Sequence, residues 1–414
     1  MPDQQCQHYD VAVVGAGMVG LTAALALCKQ GMKVALVDAR EGSAQALVQG
    51  INSLCKQGYD NRVSALTFAS QRIFENLGVW QKMAATRVSP YREMDVWDGA
   101  ASGRIHFSCD ELHQPCLGHI VENRVVVAAL LEAVLQSNIT LVQGAEVIRM
   151  TSEQEGKTLH CADARTLSAQ LVVAADGAMS KVRKLAALPM WQWDYGHHAI
   201  VATVVTEKPH NACARQRFTD DGPLAFLPLD APYTSSIVWS TSPQAARDLM
   251  ATDDTEFASK LAQAFERCLG AVVQVESRAL FPLRQRHAID YVQPGVAMIG
   301  DAAHTIHPLA GQGVNLGLLD AAALTDTVAA AAARGVDFAS LSELKKYQRA
   351  RQADNLQMSA MMQGFKWLFD PQPAPVTLLR SLGMNLLDRA TPLKQHIVQQ
   401  AMGLSDDLPT LAKC

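Results

Sequence analysis

The stretch YDVAVVGAGMVGLTAALALCKQGMKVALVDAR, residues 9–40, decides the fold. It reads as a strand, a glycine turn, a helix and a second strand. An apolar β-branched run ends at Val14, small and apolar residues continue to Cys28, and VALV closes on Asp38. Gly15, Gly17 and Gly20 form GxGxxG where the strand gives way to the helix. Gly15 permits the tight turn, Gly17 lets a pyrophosphate approach the backbone, and Gly20 lets the helix pack closely on the strand. Met18 and Val19 complete that turn, and the free N–H groups of the helix amino terminus face the phosphates. Asp38 follows Gly15 by 23 residues, where a carboxylate accepts hydrogen bonds from a ribose 2′-OH. Glycine turns also arise for purely steric reasons, but here strand, helix, second strand and terminal acid are all present. The stretch therefore predicts a dinucleotide site, without separating FAD from NAD.

Two further segments choose between them. LVVAADGAMSKVR (171–183) is an apolar strand running into Asp176-Gly177, with a basic residue at Arg183; alone, it would be an ordinary strand and Asp-Gly turn. PGVAMIGDAAHTIHPLAGQGVNLG (294–317) starts with another buried-looking strand, which delivers Gly300 and Asp301 at its carboxyl end. Ligands of α/β sheets bind at that end, so Asp301 is placed to hold a polyol such as a ribityl chain. After Pro308, Gly311, Gln312, Gly313, Val314 and Asn315 lead into an Ala- and Leu-rich helix. Its exposed N–H groups and dipole suit an electron-rich ring such as reduced flavin.

Together, GAGMVG, the ADG-to-VR segment and GDAAHTIHPLAGQGVNLG resemble the three fingerprints of the class A flavoprotein aromatic hydroxylases. NRVSALTFAS, LGVW, GHIVEN, FLPL, SIVWS and QAMGL extend the resemblance to the ubiquinone-biosynthesis hydroxylases over nearly the whole chain. The resemblance implies that Asp38 holds the FAD ribose, Asp301 the ribityl chain and Asp176 both FAD and pyridine nucleotide. It also implies that Arg62 approaches the FAD phosphates, with a surface cation before a helix as the lesser alternative. The reaction it implies is NAD(P)H-dependent insertion of one atom of O₂ into the ring of a polyprenylated phenol, through a flavin C4a-hydroperoxide in a cavity that excludes water.

Other details divide over ring position. GHIVEN, HHAIVATV and QAMGL look like the C5 hydroxylase of 2-octaprenylphenol type, whereas RHAIDYVQPG and LKKYQRARQADN look like the C6, demethoxyubiquinone-type enzyme. A flavin-dependent lipid reductase without oxygen insertion is a rival from another reaction class. No residue stands out as the catalytic base. His304 and His307 sit three apart in an expected loop or short turn with no third ligand nearby, so a structural or flavin-edge role is preferred, with proton handling as the alternative, and no metal is expected. Pro308 and Gln312 are the other candidates beside the ring.

Composition bounds the rest. With 414 residues, 49% hydrophobic and 18% charged, the chain is globular, and a net charge of −4 makes no case for nucleic acid. Nine scattered Cys without CxxC point to reduced thiols in a cytoplasmic protein, peripheral at a membrane if it meets one. The expected architecture is α/β. A Rossmann-like FAD-binding domain (1–185 and 285–340) is interrupted by an inserted β-sheet substrate domain (186–284), and a helical region (341–414) follows. Within the insert, Phe226, Leu227, Pro228 and Trp239 are candidate pocket walls or core. In the tail, Leu379, Leu382 and Leu386 recur at helical spacing, with Leu378 and Leu387 beside them. Such a stripe ordinarily packs on the protein's own core, with a membrane surface or other ubiquinone-biosynthesis proteins as the alternative.

Overall fold

The computed structural model describes residues 7–42, 44–45, 48, 58–153, 156–306, 312–369, 373–404 and 407–413. His307, Pro308 and Gly311 lie outside them. The opening stretch forms strand β1 (Gln7–Val14), helix α1 (Met18–Lys29) and strand β2 (Val34–Asp38). β1 pairs in parallel with β2 on one side and with β3 (Thr166–Ala174) on the other, and β3 pairs in parallel with β4 (Val296–Met298). Near-continuous burial along β1 and β2 is what a parallel sheet covered on both faces demands. α1 packs against a long helix, α2 (Gln312–Ala333). α2 is apolar and long enough to cross a membrane, yet Leu318, Ala321, Leu324 and Val328 are fully buried in the core of this sheet.

This order explains how segments about 160 and 285 residues apart come together. β4, β3 and β1 are consecutive in the sheet and all parallel, so GAGMVG, ADG and IGD leave from carboxyl ends lying side by side. Arg183 ties two of them, donating through Nη1 to Ala302 O at 2.9 Å and through Nη2 to Ala178 O at 3.1 Å.

A second, nine-stranded sheet centres on Met190–Thr206, Ala279–Ala288, Thr234–Thr241 and Gly222–Pro228. It reaches beyond 186–284. Glu93–Asp98 and Arg104–Ser108 extend one edge, and His304–Thr305, downstream of the GD motif, pairs with Ala279–Ala288 at the other. Period-two alternation divides its residues between two faces. Leu224, Phe226, Ile237 and Trp239 pack against helices Pro243–Ala251 and Asp254–Ala264. Phe226 stacks on Phe265 with centroids 3.9 Å apart. Of the candidate walls, Phe226 and Trp239 are therefore core of the far face, while Leu227 points the other way.

The tail forms α3 (Leu341–Phe369), α4 (Ala374–Arg389) and α5 (Thr391–Ala401). α4 packs on Arg104–Ser108. Contrary to the ordinary expectation for a leucine stripe, Leu378, Leu379, Leu382 and Leu386 are 61, 69, 50 and 65% exposed. The polar side of α4 meets the protein instead.

Candidate active site

A cleft of about 860 Å³ runs along the carboxyl ends of the parallel strands. Gly15, Gly17, Met18, Val19, Asp38, Arg62, Asp176, Asp301, Gly313 and Val314 all line it. Its floor is backbone. Gly15 has φ +108, and a Cβ there would lie 2.4 Å from Ala175 O. A Cβ on Gly20 would lie 1.9 Å from Gly15 O, so α1 seats on the turn only without a side chain. At Gly17 a Cβ would meet nothing within 4 Å and would project into open space, the room that a close-approaching phosphate takes. The amino termini of α1 and α2 both open on the cleft, and each favours negative charge.

Carboxylates mark three points along it. Asp38 is buried, a condition that raises a carboxyl pKa, but hydrogen bonds from Arg40 and from Ala16 N–H prevail and hold it below its ordinary value. Asp176 accepts from Lys181 and Val182 N–H through Oδ2, while its Oδ1 is buried without a partner among the described residues. Asp301 is reached by solvent through the cleft yet sits deep among protein atoms. That enclosure pushes its pKa up against the charges of His304, Arg62 and Arg286. Arg62 stands near Asp301, its guanidinium over the Phe281 ring at 5.7 Å. The Thr305 hydroxyl, also at the cleft, has no hydrogen-bond partner among the described residues. An elongated glycine-floored cleft with an acid near each end and unpartnered polar atoms fits FAD. Asp38 would hold its ribose, the Gly17 turn its pyrophosphate and Asp301 its ribityl hydroxyls.

Two residues read as cofactor contacts, Asn315 and Gly300, have other work in the structure, and His304 takes the structural one of the roles expected for it. Asn315 is 2% exposed, donates to Ala65 O at 2.8 Å, and accepts from Thr67 N at 3.1 Å and Ser70 Oγ at 2.7 Å. It clamps α2 to the strand Val63–Leu66. Gly300 is buried, with its N–H bonded to Asp320 Oδ2 at 3.1 Å. His304 is 1% exposed, with Nε2 2.5 Å from the same carboxylate oxygen. For Gln312 only the backbone, at the start of α2, is described.

Asp320 was invisible to motif reading. It is fully buried, which raises its pKa, but His304, then Arg351 and Asn355, pull it far below the ordinary value. Arg351 Nε donates at 3.0 Å and Asn355 Nδ2 at 3.1 Å. The signal was a lone acid inside the apolar run NLGLLDAAAL; its partners on α3 left none. Arg40, two residues past Asp38, was also missed.

Beside the cleft lies a second cavity of about 210 Å³, and Val63 lines both. Its walls come from eight separate stretches of the chain. Ala225, Leu227, Val238 and Ser240 are the near face of the second sheet, and Ala65, Tyr91, Met94, Phe107, Leu117 and Ile120 form one side. Ile397, Val398, Ala401 and Met402 close it from α5 and the residue after it. Most of the lining is apolar. Arg215 turns its guanidinium to His210 O and Cys213 O. Burial, with a smaller contribution from Cys116, pushes the Tyr91 phenol up to about 12, so it stays protonated and can donate.

A nucleotide cleft adjoining an apolar cavity under a sheet defines an FAD-dependent monooxygenase of the aromatic-hydroxylase class. The FAD binding domain family model matches residues 8–360. The chain is 37% identical over 399 residues to a 3-demethoxyubiquinol 3-hydroxylase of Escherichia coli, covering 96% of this chain and 99% of that one. It is 33% identical to the human mitochondrial ubiquinone biosynthesis monooxygenase COQ6, covering 94% and 92%. It therefore belongs to the family of FAD-dependent ubiquinone-biosynthesis hydroxylases. Among solved structures, p-nitrophenol 4-monooxygenase of Pseudomonas putida superimposes with a TM-score of 0.77 at 18% identity, covering 96% of this chain and 98% of that one. At that identity the likeness speaks for the fold alone.

Proposed function

We propose that this protein hydroxylates the ring of a polyprenylated phenol in ubiquinone biosynthesis, using O₂ and NAD(P)H. One observation carries the reading: the apolar cavity meets the FAD cleft at Val63. A ring lodged at that junction faces the cofactor, while an isoprenoid tail follows the apolar walls toward Ile397 and Ala401. FAD supplies the redox and oxygen chemistry when bound. The protein binds, orients and keeps dry. Backbone around Gly17 and the carboxylates Asp38, Asp176 and Asp301 hold the cofactor, and Asp320, through Gly300 and His304, fixes the turn that presents Asp301. Leu227, Val238 and Ile120 exclude water from the junction. Tyr91, protonated at every physiological pH, donates a hydrogen bond to the substrate's ring oxygen and is not the base.

C5 is the ring position we favour, on the GHIVEN, HHAIVATV and QAMGL details. Hydroxylation at C6 is the second reading, favoured by the demethoxyubiquinol activity in the name of the E. coli relative. Reaction of the FAD-loaded protein with an octaprenylphenol, NAD(P)H and ¹⁸O₂ tests the class. One ¹⁸O atom in the product is expected; turnover without label, or turnover without oxygen, would make it a reductase. Quinone intermediates accumulating in cells that lack the protein report the ring position, by which hydroxyl is missing.

A further inference from the structure

α4 is amphipathic the wrong way round for a helix that packs on a soluble core. Its polar residues face the protein. Arg380 and Asp98, both buried, pair at 2.7 Å; Asn385 Oδ1 accepts from Arg104 N at 3.1 Å, and Asp388 Oδ1 from His106 N at 3.1 Å. Its leucines face away. At about 100° per residue, Leu378, Leu379, Leu382 and Leu386 fall within one sector roughly 100° wide, together with exposed Arg389. That sector of α4 carries no acid. Arg380 Nη1 also donates to Leu368 O at 2.7 Å, bringing the end of α3 alongside, where Trp367 is 62% exposed.

We propose that this leucine face docks on the surface of an anionic lipid bilayer, and that the apolar cavity is loaded from there along α5. The proposal rests on the polyprenylated-phenol reading for its substrate. Contiguous exposed apolar residues mark a surface that something covers. The protein's own core is excluded, because the polar side of the same helix already occupies it. One helix face with four leucines falls short of the roughly 800 Å² per partner that a stable dimer uses. A bilayer fits better: leucines reach the acyl boundary, Arg389 meets anionic headgroups without a neighbouring acid on that face, and Trp367 sits at the rim. Continuity decides the matter. α5 follows α4 directly, and its Ile397 is both 39% exposed and part of the cavity wall. A long apolar tail could pass from membrane to cavity without crossing water.

The test uses the intact FAD-loaded protein and vesicles of phosphatidylcholine mixed with phosphatidylglycerol. It compares the native chain with a variant carrying Leu379→Ser, Leu382→Ser and Leu386→Ser, all at exposed positions. Bound flavin and thermal midpoint establish that the variant is folded. Co-sedimentation, read without any turnover, should show the native chain bound and the variant at least about tenfold weaker. Turnover of a long-chain phenol in the vesicles should fall in parallel, while a short-chain, water-soluble phenol is hydroxylated as before. Failure of the native chain to bind, equal binding by the variant, or a native dimer that the substitutions dissociate would each overturn the proposal. A chain that binds vesicles through these leucines but hydroxylates no phenol would leave the docking standing and remove the substrate reading instead.

Discussion

The FAD cleft and the apolar cavity share Val63, yet they are built by opposite means. Backbone makes the cleft: glycines clear the floor, helix amino termini supply the field, and a few carboxylates hold polar groups at fixed points. At Gly15 and Gly20 its tolerance for added atoms is small, because the nearest neighbours that a new side chain would strike are main-chain atoms. Side chains make the cavity, drawn from eight separate stretches of the chain and mostly apolar. A change there alters shape or a single contact while the cofactor site stays whole. Backbone sites therefore fail all at once, and side-chain sites fail by degrees.

The sharpest way to break the comparison is at Gly15. A valine there must adopt φ +108 with its Cβ 2.4 Å from Ala175 O, just past the carboxyl ends of β1 and β3. Left-handed backbone for a β-branched residue and overpacking against main chain cost several kcal/mol together, on the order of a small domain's whole stability. Gly15→Val should yield protein without flavin and with a sharply lowered thermal midpoint. A variant that purifies yellow, with stoichiometric FAD, would show that the cleft is softer than the geometry says.

That contrast also governs what could be read from sequence. The cleft was legible because a turn that tolerates no side chain must be glycine, and because strand, turn and helix are contiguous in the chain. GAGMVG, ADG and GD announced three strand ends; only the pairing of β1, β3 and β4 shows that they are neighbours. Where the motif ran on into the helix, reading became less secure. Asn315 lies in the third motif but serves its packing, and for His304 the motif left structural and flavin-edge roles open, since spacing reports that a residue is near a site and not which way it points. The cavity was scarcely legible. Leu227 and Phe226 are adjacent, equally apolar and on opposite faces, and which face holds substrate depends on helices 243–264 covering one of them. Tyr91, Met94 and Phe107 come from strands that sequence alone assigned to the cofactor domain. The leucine stripe of α4 was seen, but a stripe does not say which side of its helix the protein will use.

The cavity's graded response appears at Ala225, which lines it on the near face of the second sheet. Ala225→Trp fills space in a cavity of only about 210 Å³ and should leave FAD binding intact. A displaced ring loses the alignment on which positioning depends, for which about a hundredfold fall in kcat/KM, roughly 2.7 kcal/mol, is a fair expectation. NAD(P)H oxidation uncoupled from hydroxylation should rise as water enters. Flavin loss in this variant would mean that the two sites are not separable.

The smallest effect belongs to Tyr91. Replacing it with Phe removes one hydroxyl and leaves the ring, whose edge packs beside Gly118. If that hydroxyl only donates to the substrate oxygen, the loss is about one neutral hydrogen bond, on the order of 1 kcal/mol, or a fall in kcat/KM of roughly fivefold to tenfold. The sign of its pH behaviour separates donor from base. Burial raises the phenol to about 12, so between pH 6 and 10 it stays protonated and its contribution is constant. Native and Tyr91→Phe profiles should therefore run parallel across that range. A base would behave otherwise: its removal would erase an inflection present in the native profile and widen the gap toward high pH. Parallel profiles with a small constant offset would place Tyr91 among the shape-and-contact residues of the cavity, where a single change costs a contact and leaves the chemistry in place.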